Sequence, residues 1–190
     1  MISVIIPTLD SERALLPTLA ALVPGAMEGL VSEVIVADGG SRDDTAIVAD
    51  AAGCNFRVAD APLGERLKDA ASAARAPWLL FLRPGIILDP SWVADARRFV
   101  EQFSGKDAAA VFRRGAAGQR PVREALSMLA AALGARPRPR PEQGLLISRR
   151  LYDTLGGHTG HAADPEADLI ARIGGRRIAR LAAGASPLLD

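Results

Sequence analysis

Asp38 closes the apolar run Glu33-Val34-Ile35-Val36-Ala37 and is followed at once by Gly39, Gly40 and Ser41. A carboxylate in that place can accept hydrogen bonds from hydroxyl or ring N–H groups. Two glycines beside it let the backbone approach a ligand closely. In an open α/β sheet, ligands sit just beyond the carboxyl ends of the strands, which is where this segment falls. A second apolar run, Ile2-Ser3-Val4-Ile5-Ile6, leads into Pro7 and Thr8 with Asp10 and Glu12 close behind, so these four residues border the same pocket. The alternative is that Gly39-Gly40-Ser41 is a strand-to-helix turn with a cap and nothing more.

Such residues need a frame that brings strand ends together. The first half of the chain alternates β-rich runs with helical stretches, the pattern of a parallel sheet covered by helices on both faces. Residues 2–6 read as a strand ended by Pro7. Leu15, Leu16, Leu19 and Leu22 mark a helix over residues 11–22, with a break or restart at Pro17. Residues 33–37 form a second strand. A helix over residues 44–52 follows, capped from among residues 41–43 and closed by Gly53. A third strand at 54–58, an alanine-rich helix at 65–74 and a strand at 78–82 complete this part. Asp89-Pro90 opens a helix that runs to Phe103, with Asp89 as its cap, and 108–112 is another short strand.

The second half is less regular. Residues 121–133 place Val122, Leu126, Leu129 and Leu133 on one side of an amphipathic helix. Arg136-Pro137-Arg138-Pro139-Arg140-Pro141 lacks three backbone donors, so it predicts an extended, exposed loop that could meet anionic lipid headgroups. A strand at 145–147 and helices at 149–155 and 165–173 follow. No repeat and no compositional shift divides the 190 residues, which suit a single domain with one hydrophobic core.

Charge and composition exclude several classes. A formal net charge of +1 offers no global attraction for nucleic acid. Cys54 is the sole cysteine, so neither an intrachain disulfide nor a cysteine-based metal site is expected; it reads as a small buried hydrophobe. The first strand begins without a basic leader, and no apolar run reaches the roughly 20 residues that span a bilayer. The expected setting is cytoplasmic, with peripheral contact at the inner membrane face left open.

Four segments, in order, resemble the family-2 glycosyltransferases of the GT-A fold, particularly the short bacterial type. The most specific is Glu33-Val34-Ile35-Val36-Ala37-Asp38-Gly39-Gly40-Ser41-Arg42-Asp43-Asp44-Thr45. It is preceded by residues 2–12 and followed by Ala76-Pro77-Trp78-Leu79-Leu80-Phe81-Leu82. The last is Glu142-Gln143-Gly144-Leu145-Leu146-Ile147-Ser148-Arg149-Arg150 with Leu155-Gly156-Gly157 behind it. The resemblance implies a mostly parallel GT-A sheet with a nucleotide-binding half (1–103) and an acceptor-side half (104–190). It implies a nucleoside-diphosphate sugar as donor, with Asp38 reading the nucleotide. Pro7, Thr8, Asp10, Glu12, Gly39, Gly40, Ser41, Gln143 and Gly144 would join Asp38 in binding substrate. A nucleotidyltransferase-like reading fits less well, because no glycine-rich basic loop follows the first strand.

The chain also departs from the family pattern. Members usually place Asp-x-Asp after the strand that ends here at Leu82, and those carboxylates hold Mg²⁺ or Mn²⁺ on the diphosphate. Here Arg83-Pro84-Gly85 stands there, so both metal ligands are missing. The family's arginine and asparagine in the preceding helix align with Glu65 and Ala70, and its late Glu-Asp pair with Pro165 and Glu166. The resemblance therefore implies a metal-independent inverting transferase, with Arg83 facing the diphosphate and Glu166 as general base. The acceptor is open; a lipid-linked one is among the candidates. The alternative is a catalytically lapsed domain that binds a nucleotide, a sugar or a protein. His158, His161 and Asp164 could ligate a metal, but among Gly156, Gly157 and Gly160 they read better as a mobile flap over the acceptor side.

Overall fold

A computed structural model describes residues 1–115 and 138–188. The amphipathic helix expected at 121–133, and Arg136 and Pro137 of the arginine–proline run, lie outside the described residues. The elements are β1 (Ile2–Thr8), α1 (Glu12–Met27), β2 (Val31–Asp38), α2 (Thr45–Ala51), β3 (Asn55–Val58) and α3 (Leu63–Ala73). There follow β4 (Trp78–Phe81), β5 (Ile86–Leu88), α4 (Trp92–Gln102) and β6 (Ala109–Arg114). A 3₁₀ turn (Pro141–Gln143), β7 (Leu145–Ser148), α5 (Arg149–Thr154), α6 (Pro165–Ile173) and β8 (Ile178–Pro187) complete the described chain.

The strands form one eight-stranded mixed sheet in the order β3-β2-β1-β4-β7-β6-β8-β5. Only β7 and β5 run against the others among the described strands. β1 lies near the middle and is buried along its whole length, as its apolar sequence requires of a strand covered on both faces. Val4 and Ile6 point into a core shared with α1, α2 and α4, whereas Ile5 points into a second core with α3, α5 and α6.

The observed elements differ from the sequence expectation at instructive places. α1 runs without a break through Pro17 and Pro24. Each proline deletes one helical hydrogen bond, yet Leu15, Leu19 and Leu22 bury almost completely against the sheet, which offsets that loss. The helix also anchors the turn after β4: Gly85 N donates to Ala14 O and to Thr18 Oγ1, both at 2.9 Å. Asp89 does not cap α4. Its Oδ2 accepts from Gly184 N at 2.7 Å, and Ser91 occupies the cap position without a side-chain bond. Pro141 of the expected exposed loop is buried and opens the 3₁₀ turn. Among the described residues no helix is long and apolar enough to cross a membrane.

Candidate active site

Asp38 ends β2 beside Thr8 of β1, with the two paired in register. Its carboxylate is 1% exposed and carries four hydrogen bonds. Thr8 Oγ1 donates at 2.7 Å and the Ser41 hydroxyl also donates to Oδ1, while Gly40 N and Ser41 N reach Oδ2 at 2.8 and 2.7 Å. Burial alone would raise its pKa. The bonds from Ser41, Thr8 and Gly40 outweigh that and hold it below the ordinary carboxylate range. Asp38 is thus the organiser of its own turn, with Gly40 at φ +93° closing it.

The turn after β1 is laced to this one. Asp10, at φ +46°, donates its N–H to Ser41 Oγ at 2.8 Å and accepts from Arg42 N at 2.7 Å. Ser11 N reaches Thr45 Oγ1 and Glu12 N reaches Asp43 Oδ2. Pro7 sits inside β1, opposite Ala37. Pro7, Thr8, Asp10, Glu12, Gly39, Gly40 and Ser41 therefore gather at one strand-end rim around Asp38.

Arg66, which the sequence reading passed over, completes that rim. It stands next to Glu65, the position aligned with the family's helical arginine, and one residue of slack hid it. From α3 its guanidinium donates to Thr8 O at 3.0 Å, Ala37 O at 2.6 Å and Ala61 O at 3.2 Å. Burial lowers its pKa and the Asp38 carboxylate opposes that shift. A cavity of about 250 Å³ opens on its far side, against Arg57, Val58 and Asp69.

Arg83 leaves β4 on the other side of β1. Because Ile5 pairs with Phe81 and Thr8 with Asp38, Arg83 and Asp38 flank the end of β1 about two strand spacings (roughly 10 Å) apart. Arg83 Nε donates to Glu166 Oε2 at 2.6 Å, and its terminal nitrogens lie 3.6 Å from Glu142 Oε1 and 3.6 Å from Asp164 Oδ1. Glu166 is 5% exposed. Its burial raises the pKa, which the charge and hydrogen bond of Arg83 counteract only in part. Asp164 caps α6 by accepting from Ala167 N at 3.0 Å, so Glu166 projects from the first turn of a properly closed helix.

Gln143 and Gly144 are occupied with the fold. Gln143 Nε2 donates to Phe112 O at 2.6 Å and its Oε1 accepts from Arg140 N at 3.0 Å. Gly144 adopts φ +67°, where a Cβ would also press on Leu82 and Phe112.

The glycine-rich segment is tethered, in contrast to the expected mobile flap. Arg172 donates to Leu155 O at 2.7 Å and Gly157 O at 2.6 Å, and Thr159 Oγ1 donates to Asp168 at 2.8 Å. His158 is buried edge-on against Phe81. Tyr152 Oη accepts from the His158 backbone N–H and shares a second hydrogen bond with Nδ1 at 2.9 Å. The buried Nε2 meets no partner. His161 instead points out toward Glu65, so the two histidines do not converge on a metal.

A divalent cation does not fit these side chains. The position after β4 presents a guanidinium, and the three nearby carboxylates turn toward it. Among the described residues no group of three or more His, Cys, Asp or Glu is arranged to hold a metal ion.

The sheet gathers its polar residues at the carboxyl ends of β1, β2 and β4, and the fold matches that of GT-A glycosyltransferases. Residues 3–163 match the family model Glycosyl transferase family 2, and the chain belongs to that family. Over 95 residues it is 35% identical to glucosyl-3-phosphoglycerate synthase of Mycolicibacterium paratuberculosis, covering 45% of this chain and 29% of that protein. The fold superposes on S. aureus TarS with a TM-score of 0.71 at 16% identity, over 98% of this chain and 60% of that one. It also superposes on Mycobacterium tuberculosis glucosyl-3-phosphoglycerate synthase in complex with Mn²⁺, UDP and phosphoglyceric acid. There the TM-score is 0.65 at 25% identity, over 95% of this chain and 67% of that one. The chain thus spans less than a third of the curated relative and about three-fifths of the TarS structure.

Proposed function

We propose that this domain transfers a sugar from a nucleoside-diphosphate sugar to an acceptor hydroxyl by a single inverting displacement, without a divalent metal. The observation that carries this reading is the meeting of Arg83 and Glu166 at the sheet end that Asp38 also borders. The acceptor oxygen attacks the anomeric carbon as the bond to the donor's phosphate oxygen breaks. The electron pair of that bond leaves with the nucleoside diphosphate, and the acceptor proton passes to a Glu166 carboxylate oxygen. Arg83 offers a fixed positive charge to the departing diphosphate, the task a cation performs in metal-dependent relatives. The Asp38 turn and Arg66 supply a rigid rim for the nucleoside. Related proteins support the donor class: the M. tuberculosis synthase has been crystallised with UDP and with UDP-glucose, and TarS with UDP-GlcNAc.

Calorimetric titration with UDP and GDP, in EDTA and in Mn²⁺, tests the reading. Binding that needs no metal and disappears in Arg83→Ala is the expected result. Glu166→Gln should abolish transfer without weakening nucleotide binding. The mutual engagement of Arg83 and Glu166 also favours a second reading, a domain that binds nucleotide without turnover; binding without any transfer or donor hydrolysis would select it.

A further inference from the structure

We propose that the Arg83–Glu166 ion pair is a latch opened by the donor, so that the nucleoside diphosphate draws the guanidinium away and releases Glu166 for the acceptor. This rests on the transferase reading above and adds an order of events to it. In the closed arrangement Glu166 is held by Arg83. Glu166 Oε2 is taken by Arg83 Nε at 2.6 Å, and the carboxylate is almost wholly buried, so no acceptor hydroxyl can compete for it there.

The other end of the guanidinium is differently placed. Its two terminal nitrogens stand 3.6 Å from Glu142 and Asp164, longer than a hydrogen bond. Both acids are about half exposed, at 50% and 52%, and Arg83 itself is 32% exposed. The edge of the guanidinium that suits bidentate phosphate binding therefore has spare donors, and its weak partners can turn into water. Once phosphate oxygens on that edge draw the guanidinium outward, Glu166 loses the cation that lowers its proton affinity, and the space the guanidinium leaves admits the acceptor hydroxyl. The base then strengthens only when a donor is in place, which suppresses proton abstraction in its absence.

Affinity measured on the full chain in EDTA, with UDP as probe, separates this from plain electrostatics. Glu166→Gln should bind UDP on the order of tenfold more tightly than the wild type, because the competing charged hydrogen bond is gone. Glu142→Gln and Asp164→Asn remove the same charge near the same guanidinium and should change affinity by less than about twofold. Equal gains in all three variants, or no gain in Glu166→Gln, overturns the latch. A second measurement needs no foldable Glu166 variant. The Arg83 Nε–H signal in ¹⁵N NMR, identified by its loss in Arg83→Lys, should shift on saturation with UDP. An unmoved signal at saturation overturns the latch while leaving the transferase reading intact. No nucleotide binding in any form removes the transferase reading, and the latch with it.

Discussion

The guanidinium of Arg66 lies against the Cα of Gly39, so close that a Cβ built there would stand 3.1 Å from Cζ. Gly39 needs no unusual backbone angle; its lack of a side chain is what admits the arginine. Three carbonyl contacts fix that arginine in place. Gly39→Ala should therefore cost about 1–2 kcal/mol in urea unfolding and weaken UDP binding by displacing the rim. An unchanged midpoint would show that Arg66 moves aside freely.

Asp38→Asn tests the turn itself. An amide at this position presents N–H to the backbone N–H groups of Gly40 and Ser41 or to the Thr8 and Ser41 hydroxyls, so at least one buried donor loses its acceptor. The expected cost is about 2–3 kcal/mol. The acid dependence has a definite sign: Asp38 is depressed below its ordinary 3.8, so its contribution is complete above about pH 4 and is lost as pH falls through the folded value. Unfolding of the variant should lack that acid-labile part.

His158 predicts a second acid dependence, at higher pH. Burial, reinforced by the charge of Arg172 and opposed by Asp168, pushes its pKa down to about 3. The unfolded chain binds a proton near 6.5 that the folded chain refuses. Stability is thus full above about pH 6.5 and declines as pH falls, with a slope approaching about 1.4 kcal/mol per unit between pH 6 and 4. His158→Phe keeps an aromatic edge on Phe81 and should flatten that slope in urea melts at pH 7 and pH 5. Parallel slopes in the two proteins would show that His158 is protonated in place.

Gly64 carries the tethered loop on α3. A Cβ at Gly64 would lie 2.1 Å from Thr159 O, a backbone atom that cannot rotate out of the way. Gly64→Ala should shift the segment around His158 and lower stability by about 2 kcal/mol or more. Limited proteolysis should then cut between Gly156 and His161 where the wild type resists.

The frame was legible because its signals are local. Apolar runs ending at Pro7-Thr8 and Asp38, and Leu15, Leu19 and Leu22 at helical spacing, required only nearest-neighbour reasoning. What escaped depended on distant partners. β5 is three residues long and exists because β8 pairs with it, while β8 itself is rich in alanine and glycine, without strong β propensity. Asp89-Pro90 carries a helix-start signal, yet the Gly184 N–H nearly a hundred residues away claims the carboxylate. The Thr8 bond to Asp38 and the contacts of Arg66 with Thr8 O and Ala37 O likewise join different segments, so only the assembled sheet displays them.

The turn that bears Arg83 is gripped by two segments far apart in sequence. Ala14 O and Thr18 Oγ1 of α1 hold Gly85 N. On the other side, Leu188 N donates to Gly85 O, and β8 pairs with β5 immediately downstream. A ribosome makes the first clamp early and the second about a hundred residues later. Nascent chains should therefore assemble the rim around Asp38 before the arginine's seat is firm, and pairing of β8 with β5 sets when that seat is complete.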